Sequence, residues 1–227
     1  MMKPVIAIVP SAGSGRRFGE GKTLLNLKGM PVIARTLSAL QDVEEIVEVI
    51  PVMRNDEMEK TLEIVEQYGF TKVRKIAPGG KERQESVFHG LGLIERKGCI
   101  VLVHDGVRPL VTPGIIRNAI AALEDLDGVV TAVAVKDTIK EVMDGMVKKT
   151  LARETLFAVQ TPQVFPYKVL MEAYTEALSS GMYFTDDAAM VEHYGGRVKV
   201  IEGEYTNIKI TTREDLAVAE TFLKSRS

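Results

Sequence analysis

Residues 5–23 read VIAIVPSAGSGRRFGEGKT, a short apolar run that leads into a loop rich in glycine and basic side chains. Val5–Val9 holds only Val, Ile and Ala, which is typical of a strand covered by helices on both faces. The small residues after it would let backbone N–H groups approach an anion closely. Arg16, Arg17 and Lys22 supply three positive charges to the same loop. We therefore expect a phosphate-bearing ligand at the carboxyl end of this strand, the alternative being a flexible turn with solvated arginines.

The same kind of apolar run recurs along the chain, and amphipathic segments separate the runs. This alternation predicts an α/β fold with a Rossmann-like, mostly parallel sheet, right-handed crossovers and helices on both faces. The other expected strands are Ile46–Ile50, Ile100–Val103 and Val129–Val135. The expected helices are Pro31–Leu40, Glu57–Tyr68, Pro113–Leu126, Pro166–Leu178 and Arg213–Leu223. Pro31 is expected in the first turn of the first of these helices, and Thr211 or Thr212 is expected to cap the N-terminus of the last.

Length, charge and cysteine content limit the possible classes of protein. The chain has 227 residues and 25.0 kDa, so we expect one domain over residues 1–227. Its 29 basic and 31 acidic side chains give a net charge of −2, which offers no reason to expect a nucleic acid or a membrane as partner. Val5–Val9 is too short for the core of an export signal. With Cys99 as the single cysteine, we expect no intrachain disulfide and a cytoplasmic protein.

One stretch interrupts the alternation of strands and helices. Residues 138–153 read TIKEVMDGMVKKTLAR, in which Asp144-Gly145 is a hairpin turn signal between two charged, partly alternating strands. A hairpin this polar would not lie in the core, so we expect an arm, at about residues 137–156, that projects from the sheet. Either the arm is a solvated surface hairpin, or it is a dimerisation arm.

Two familiar phosphate-binding patterns almost fit the glycine-rich loop. The P-loop pattern that ends in Gly21-Lys22-Thr23 requires a glycine at position 16, where Arg16 stands. The dinucleotide pattern that begins at Gly13 requires a glycine at position 18, where Phe18 stands. A P-loop NTPase or kinase is therefore disfavoured by the length of the loop and is kept as an alternative.

Seven short strings, in order along nearly the whole chain, carry a resemblance to a known family. They are Pro10–Arg17 followed by Lys22, Gly79–Val87 (GGKERQESV), Val103–Pro109 (VHDGVRP), Val135–Thr138 (VKDT), Thr161–Gln163 (TPQ), Thr185–Ala188 (TDDA) and Asn207–Thr211 (NIKIT). The set resembles the 2-C-methyl-D-erythritol 4-phosphate cytidylyltransferases, a family of sugar-phosphate nucleotidyltransferases. The chain departs from that family's pattern at two points: Lys22 lies in a shortened loop, and Lys81 replaces an aspartate.

The resemblance implies a fold of the nucleotide-diphospho-sugar transferase type and a cytidylyltransferase activity in isoprenoid biosynthesis. Members of the family join 2-C-methyl-D-erythritol 4-phosphate to CTP and release pyrophosphate, with Mg²⁺ as the divalent cation. The resemblance further implies a homodimer in which the arm reaches into the partner's site. Ribitol-5-phosphate cytidylyltransferases are also similar, although their first loop more often reads Ala-Gly-Gly where this chain has Pro-Ser-Ala-Gly. A nucleotide-binding module without catalysis is a third alternative.

The resemblance also implies roles for individual residues. Arg17 and Lys22 would be catalytic and would stabilise the transition state and the leaving pyrophosphate. Asp105 would face the metal ion or the erythritol hydroxyls. The residues expected to contact CTP are Ser11, Ala12, Gly13, Gly15, Gly80, Arg83 and Ser86. Those expected to bind the methylerythritol phosphate are Asp105, Arg108, Thr138, Arg153 and Lys209, of which Thr138 and Arg153 lie on the arm.

Some conspicuous side chains carry no expected chemistry. His104 lies beside Asp105, but the three histidines of the chain show no metal-ligand spacing, so we expect a structural histidine. Asp186-Asp187 precedes an apolar helical stretch and is more typical of a helix start than of a metal pair. Cys99 stands at the start of an apolar strand and is expected in the core.

Overall fold

A computed structural model of the chain describes residues 3–13 and 21–225. The strands are β1 (Val5–Pro10), β2 (Asn26–Leu27), β3 (Met30–Pro31), β4 (Ile46–Met53), β5 (Ala77–Pro78), β6 (Ile100–Val103), β7 (Gly128–Ala134), β8 (Lys140–Met143), β9 (Met146–Thr150), β10 (Phe157–Pro166) and β11 (Val198–Glu202). The α-helices are α1 (Val32–Gln41), α2 (Met58–Tyr68), α3 (Arg83–Gly92), α4 (Pro113–Ala121), α5 (Tyr167–Ser179), α6 (Asp187–His193) and α7 (Arg213–Ser225). Short 3-10 helices lie at Lys22–Leu24, Asn55–Glu57 and Arg153–Thr155.

The central sheet has the strand order β11-β7-β10-β6-β1-β4-β5. Strand β10 runs antiparallel to its neighbours β6 and β7, and the other described neighbours in this sheet pair in parallel. The prediction of a mostly parallel, Rossmann-like α/β fold is therefore confirmed.

Helices cover both faces of the sheet. Side chains from α1, α2 and α4 pack on one face, and those from α3, α5 and α6 pack on the other. Within β1 the side chains alternate, so that Ala7 joins the first layer and Ile8 joins the second, and both are fully buried. Burial on both faces is the reason why Val5–Val9 contains no polar residue.

The hairpin predicted around Asp144-Gly145 is present and stands apart from the central sheet. Strands β8 and β9 pair only with each other among the described strands. Asp144 and Gly145 have φ values of 50° and 78°, which is the left-handed pair that a tight two-residue hairpin turn requires. Their identities in the sequence were sufficient to place this turn.

The expected helices are present with bounds that shift by one or two residues, except at the end of α4, which comes five residues early. Helix α4 ends at Ala121 instead of Leu126, because Glu124 takes a left-handed φ of 37° and the chain turns there towards β7. Pro31 does not lie in the first turn of α1 but precedes the helix, because it pairs with Asn26 in the small sheet of β2 and β3.

The last helix has the expected type of cap. The Thr212 hydroxyl oxygen accepts from the backbone N–H of Asp215 at 3.4 Å, and the Asp215 carboxylate accepts from the backbone N–H groups of Thr211 and Thr212 at 2.8 Å. This reciprocal arrangement is a capping box centred on Thr212. Over residues 3–13 and 21–225, none of the helices has both the length and the apolar character needed to cross a bilayer.

Candidate active site

Four connections meet at the carboxyl edge of the parallel strands. Ser11 to Gly13 follow β1, Gly79 and Gly80 follow β5, Asp105 follows β6, and Lys209 lies beyond β11. Ligands of open α/β sheets bind at this edge, where the connections leave a crevice between them. Residues that are up to about 200 positions apart in the sequence are thus brought to one place by the topology of the sheet.

Two adjoining clefts open there, with Arg83, Asp105 and Lys209 lining both of them. The first cleft has a volume of about 140 Å³, and the second has a volume of about 310 Å³. The first cleft is also lined by Pro10, Ser11, Ala12, Gly13, Lys22, Ser86 and Val107. The second is also lined by Arg108, Val159, Gln160, Thr161, Gln163, Thr185 and Asp186. Among the described lining residues, four basic side chains face two acidic ones, an excess of positive charge that suits a polyanionic ligand.

Asp105 lies at the centre of a cluster of cations. Its carboxylate lies 2.9 Å from Lys209 Nζ, 3.3 Å from Arg83 Nε and 3.5 Å from Arg108 Nε. Burial alone would raise the pKa of this carboxyl, but Arg83, Lys209 and Arg108 hold the pKa well below its usual range. Asp105 therefore stays ionised and fixes the positions of three cations between the two clefts.

A buried network behind Asp105 confirms a structural role for His104. The His104 Nε2 lies 3.2 Å from the Arg108 carbonyl oxygen, which can only accept, so Nε2 carries the proton. The Nδ1 then accepts from the Thr161 hydroxyl at 3.0 Å, while that same hydroxyl oxygen accepts from the Asp105 N–H at 3.0 Å. Burial lowers the pKa of His104 to about 4, so the ring is neutral near pH 7.

Strand β10 changes its register where it passes the second cleft. Pairing with β7 shifts between Val159 and Gln163, and such an irregularity redirects side chains, often beside active sites. Thr161, inside the shift, holds the Asp105 backbone, and Gln163 bonds to Asp186 at 2.8 Å. The shift thereby lets an antiparallel strand contribute polar side chains to a site that is otherwise built from loops.

Arg108 is fixed from a second side by the segment that carries Lys209. Its Nη1 donates to the Asn207 carbonyl oxygen at 2.7 Å, and the buried Asn207 amide donates to the Thr161 carbonyl oxygen at 2.9 Å. Asn207 thus joins the connection after β11 to strand β10. This explains how Lys209, which is distant in the sequence, is held close to Asp105.

The first glycine of the string Gly79–Val87 permits a close approach of the backbone. A Cβ on Gly79 would lie 2.1 Å from the Ala12 Cβ, so glycine allows the connections after β1 and β5 to meet. The Ser86 hydroxyl accepts from the Gly80 N–H and donates to the Glu82 carbonyl oxygen, both at 3.0 Å. Ser86 therefore fixes the shape of the segment that lines the first cleft.

Lys22 lies in a short 3-10 turn that is anchored to the buried Glu57 side chain. Gly21 adopts a left-handed φ of 76°, and its carbonyl oxygen accepts from the Leu24 N–H at 2.9 Å. The buried Thr23 hydroxyl points to the buried Glu57 carboxylate at 3.5 Å, and Arg54 Nη2 lies 3.3 Å from the same group. This anchor holds the turn that carries Lys22 at the wall of the first cleft.

Most of the residues expected to contact ligands are brought together at the two clefts. Ser11 is one of them, although its backbone N–H already donates to Val52 and its hydroxyl to Val9. Thr138 and Arg153 are exposed on the arm and line neither cleft of their own chain. Gly15 and Arg17 lie outside the described residues.

The sequence did not indicate how Arg83 is held. Asp186 caps α6 as expected, accepting from the Ala189 N–H at 2.8 Å. Asp187, however, does more than begin this helix, because its buried carboxylate accepts from Arg83 Nη2 at 2.8 Å and from the Tyr174 hydroxyl. The TDDA string could have drawn attention to Asp187, whereas a tyrosine on the buried face of a helix gives no signal of this kind.

The fold and the site together define an α/β protein with positively charged clefts at the carboxyl edge of its sheet. A family model described as 2-C-methyl-D-erythritol 4-phosphate cytidylyltransferase matches residues 5–225. A protein of that name from Geobacter metallireducens is 43% identical over 228 residues, covering 98% of each chain. One from Syntrophus aciditrophicus is 44% identical over 228 residues, covering 98% of this chain and 97% of the other.

Solved structures agree with the sequence relatives. The crystal structure of 4-diphosphocytidyl-2C-methyl-D-erythritol synthase from Anaerococcus prevotii is 36% identical and has a TM-score of 0.89. The match covers 98% of this chain and 96% of that one. The chain belongs to the 2-C-methyl-D-erythritol 4-phosphate cytidylyltransferase family, which confirms the family implied by its seven strings.

Proposed function

We propose that this chain transfers a cytidylyl group from CTP to 2-C-methyl-D-erythritol 4-phosphate. The products are 4-diphosphocytidyl-2-C-methyl-D-erythritol and pyrophosphate, in the synthesis of isoprenoid precursors. The observation that carries the proposal is the cation cluster on Asp105, which separates two clefts of suitable charge. One cleft would hold the triphosphate and the other would hold the sugar-alcohol phosphate.

The proposed reaction requires the two substrates to be positioned, and it requires no general base. A phosphate oxygen of the sugar alcohol attacks the α-phosphorus of CTP, a new phosphorus–oxygen bond forms, and the bond to the bridging oxygen of the β-phosphate breaks. The electron pair of that bond leaves with pyrophosphate. The nucleophile is already an anion, so the obstacle is repulsion between two polyanions, which fixed cations reduce. Lys22 lines the first cleft, Arg108 lines the second, and Arg83 and Lys209 line both.

Arg17 and the loop backbone complete the proposal for the triphosphate. By resemblance, Arg17 and Lys22 stabilise the charge that develops on the α-phosphate and on the leaving pyrophosphate. Ala12 and Gly13 lie on the wall of the first cleft, where small side chains leave the backbone accessible to phosphate oxygens. Gly15 would continue this cradle.

A magnesium ion is compatible with the donor set around Asp105. Mg²⁺ at such sites is bound by one or two carboxylates together with phosphates of the substrate. Asp105 is ionised and, among the described residues, is the carboxylate that lines both clefts. Its two oxygens already contact three cations, so Asp105 would supply one ligand at most, and nucleotide phosphates and water would supply the others. When bound, it would neutralise charge on the triphosphate.

The arm is proposed to join two copies of the chain. Val142, Met143, Met146 and Val147 on the arm are 55–74% exposed, which is unusual for four neighbouring large apolar side chains. The base of the arm adjoins an apolar cleft of about 650 Å³ whose walls include Phe157 and Tyr205. In a homodimer the arm would bring Thr138 and Arg153 to the partner's methylerythritol phosphate.

Release of pyrophosphate in the presence of Mg²⁺ tests the proposed reaction. CTP, UTP, ATP and GTP are each combined with methylerythritol phosphate or with ribitol 5-phosphate. We expect release with CTP and methylerythritol phosphate alone. Release with ribitol phosphate instead would keep the mechanism and change the substrate, whereas orthophosphate from nucleotide alone would point to a P-loop type of hydrolysis.

A further inference from the structure

A chain of buried polar groups runs from helix α5 to the wall of the clefts. The Tyr174 hydroxyl donates to one oxygen of the Asp187 carboxylate, and both residues are fully buried. The other oxygen of Asp187 accepts from Arg83 Nη2 at 2.8 Å. Arg83 Nε in turn lies 3.3 Å from the Asp105 carboxylate. Tyr174 lies in the core and lines neither cleft, and it is connected through one intermediate, Asp187, to Arg83, which lines both.

Packing alone does not account for the hydroxyl of Tyr174. Its ring stacks on Phe88, with centroids 6.2 Å apart, and a phenylalanine could make the same contact. A buried hydroxyl is costly unless it is hydrogen-bonded, and Asp187 is the partner that satisfies it. Burial, together with the neighbouring Asp187 carboxylate, raises the pKa of Tyr174 well above its usual value, so the hydroxyl keeps its proton and donates.

Asp187 needs both of its partners in order to direct Arg83. A fully buried carboxylate with one unsatisfied oxygen would turn towards another donor or admit water. With the Tyr174 hydroxyl on one oxygen, the other oxygen stays aimed at Arg83. The guanidinium is then gripped by two carboxylates, which engage two of its five N–H groups and leave three for a ligand. The Arg83 side chain is 29% exposed and lines both clefts, so a ligand there can reach it.

We propose that Tyr174 is a positioning residue for the nucleotidyl transfer, which it supports by holding Asp187 and thereby orienting the Arg83 guanidinium at the clefts. The inference rests on the proposed function, because Arg83 is taken to contact the phosphates or the cytidine of CTP. It assigns a role in the reaction to a residue of the core that touches no substrate.

The test compares two tyrosines of the same helix. Tyr174→Phe removes the hydroxyl that holds Asp187, and Tyr167→Phe removes the hydroxyl of a second largely buried tyrosine, which makes no described hydrogen bond to Asp187 or Arg83. For each variant, kcat, the KM for CTP, the KM for methylerythritol phosphate and the urea midpoint are measured. We expect Tyr174→Phe to lower kcat/KM for CTP by about tenfold, since an unsatisfied buried carboxylate oxygen releases Arg83 from its orientation. We expect Tyr167→Phe to stay within twofold of the unchanged chain.

A double substitution separates positioning from a general loss of stability. Arg83→Lys keeps a positive charge near Asp187 but lacks the fork that the two carboxylates grip. If Tyr174 acts through that fork, Tyr174→Phe has less than a twofold effect on kcat/KM when it is added to Arg83→Lys. A full tenfold effect in that background, or equal effects of the two tyrosine substitutions, would overturn the inference.

The outcomes for the proposed function and for the inference are distinct. An unchanged chain that releases no pyrophosphate from CTP and methylerythritol phosphate contradicts the proposed function, and the role of Tyr174 is then lost with it. An active unchanged chain with an equally active Tyr174→Phe variant contradicts only the role of Tyr174.

Discussion

Mild acid should destabilise this fold through His104. Burial lowers the pKa of His104 to about 4, whereas the ordinary value is 6.5. Between these two pH values the unfolded chain binds a proton that the folded chain excludes, so stability present above pH 6.5 is lost as the pH falls towards 4. The linkage relation gives a loss of about 2 kcal/mol at pH 5 and about 3 kcal/mol below pH 4 from this side chain alone.

The measurement is urea unfolding, followed by far-ultraviolet circular dichroism, at pH 7.5 and at pH 5. His104→Gln keeps a donor and an acceptor but cannot titrate, so its loss of unfolding free energy between the two pH values should be smaller by about 2 kcal/mol. His193→Asn serves as the control, because His193 is an exposed histidine of the same chain. If the free energy of unfolding falls equally between pH 7.5 and pH 5 in His104→Gln and in the unchanged chain, the reasoning is refuted, whatever the absolute stability of the variant.

Three further predictions concern the loop, the arm and a close contact at the site. Lys22→Ala should reduce turnover on the order of 10²–10³-fold while CTP still binds, with the exposed Lys60→Ala as control; near-normal turnover would assign this role to another cation. Arg153→Ala chains mixed with Lys22→Ala chains should regain activity if the arm completes the partner's site, provided that sedimentation shows subunit exchange. Gly106→Ala should lower stability by about 1–3 kcal/mol, because the new Cβ would lie 2.0 Å from the Ser11 hydroxyl oxygen, and adding Ser11→Ala should restore much of the loss in thermal unfolding.

The sequence alone could place those elements whose burial or turn geometry is reflected in their own residue types. Val5–Val9 and Ile100–Val103 are buried on both faces and read as continuous apolar runs, and Asp144-Gly145 marks its turn by residue type. Strand β10 escaped prediction because Pro162 stands in its middle, and proline argues against an internal strand. The register shift after Val159 is what accommodates it, and a register shift depends on the neighbouring strand rather than on the local sequence.

The site was predictable to the extent that its residues lie in strings of fixed order. Asp105 and Lys209 were expected by resemblance, and the structure places them 2.9 Å apart. The pairing of Arg83 with Asp187 spans 104 positions and leaves no trace in either segment alone. The role of Tyr174 is still harder to predict from the sequence. Its ring is typical of a core residue, and its hydroxyl has a partner only because the fold places Asp187 beside it.

The cation cluster on Asp105 also has a consequence for the growing chain. A ribosome delivers Arg83 and Arg108 by mid-synthesis, but Lys209 and β11 emerge only near the end, and β7 lacks both of its neighbours until β10 and β11 have been made. The cleft that we assign to the phosphates of the nucleotide is completed only when Lys209 has emerged, so on this proposal nucleotide would not stabilise the early half of the nascent chain. Its stabilising effect by mass action would begin only with the finished sheet, and ligand binding would then favour only chains whose sheet is complete.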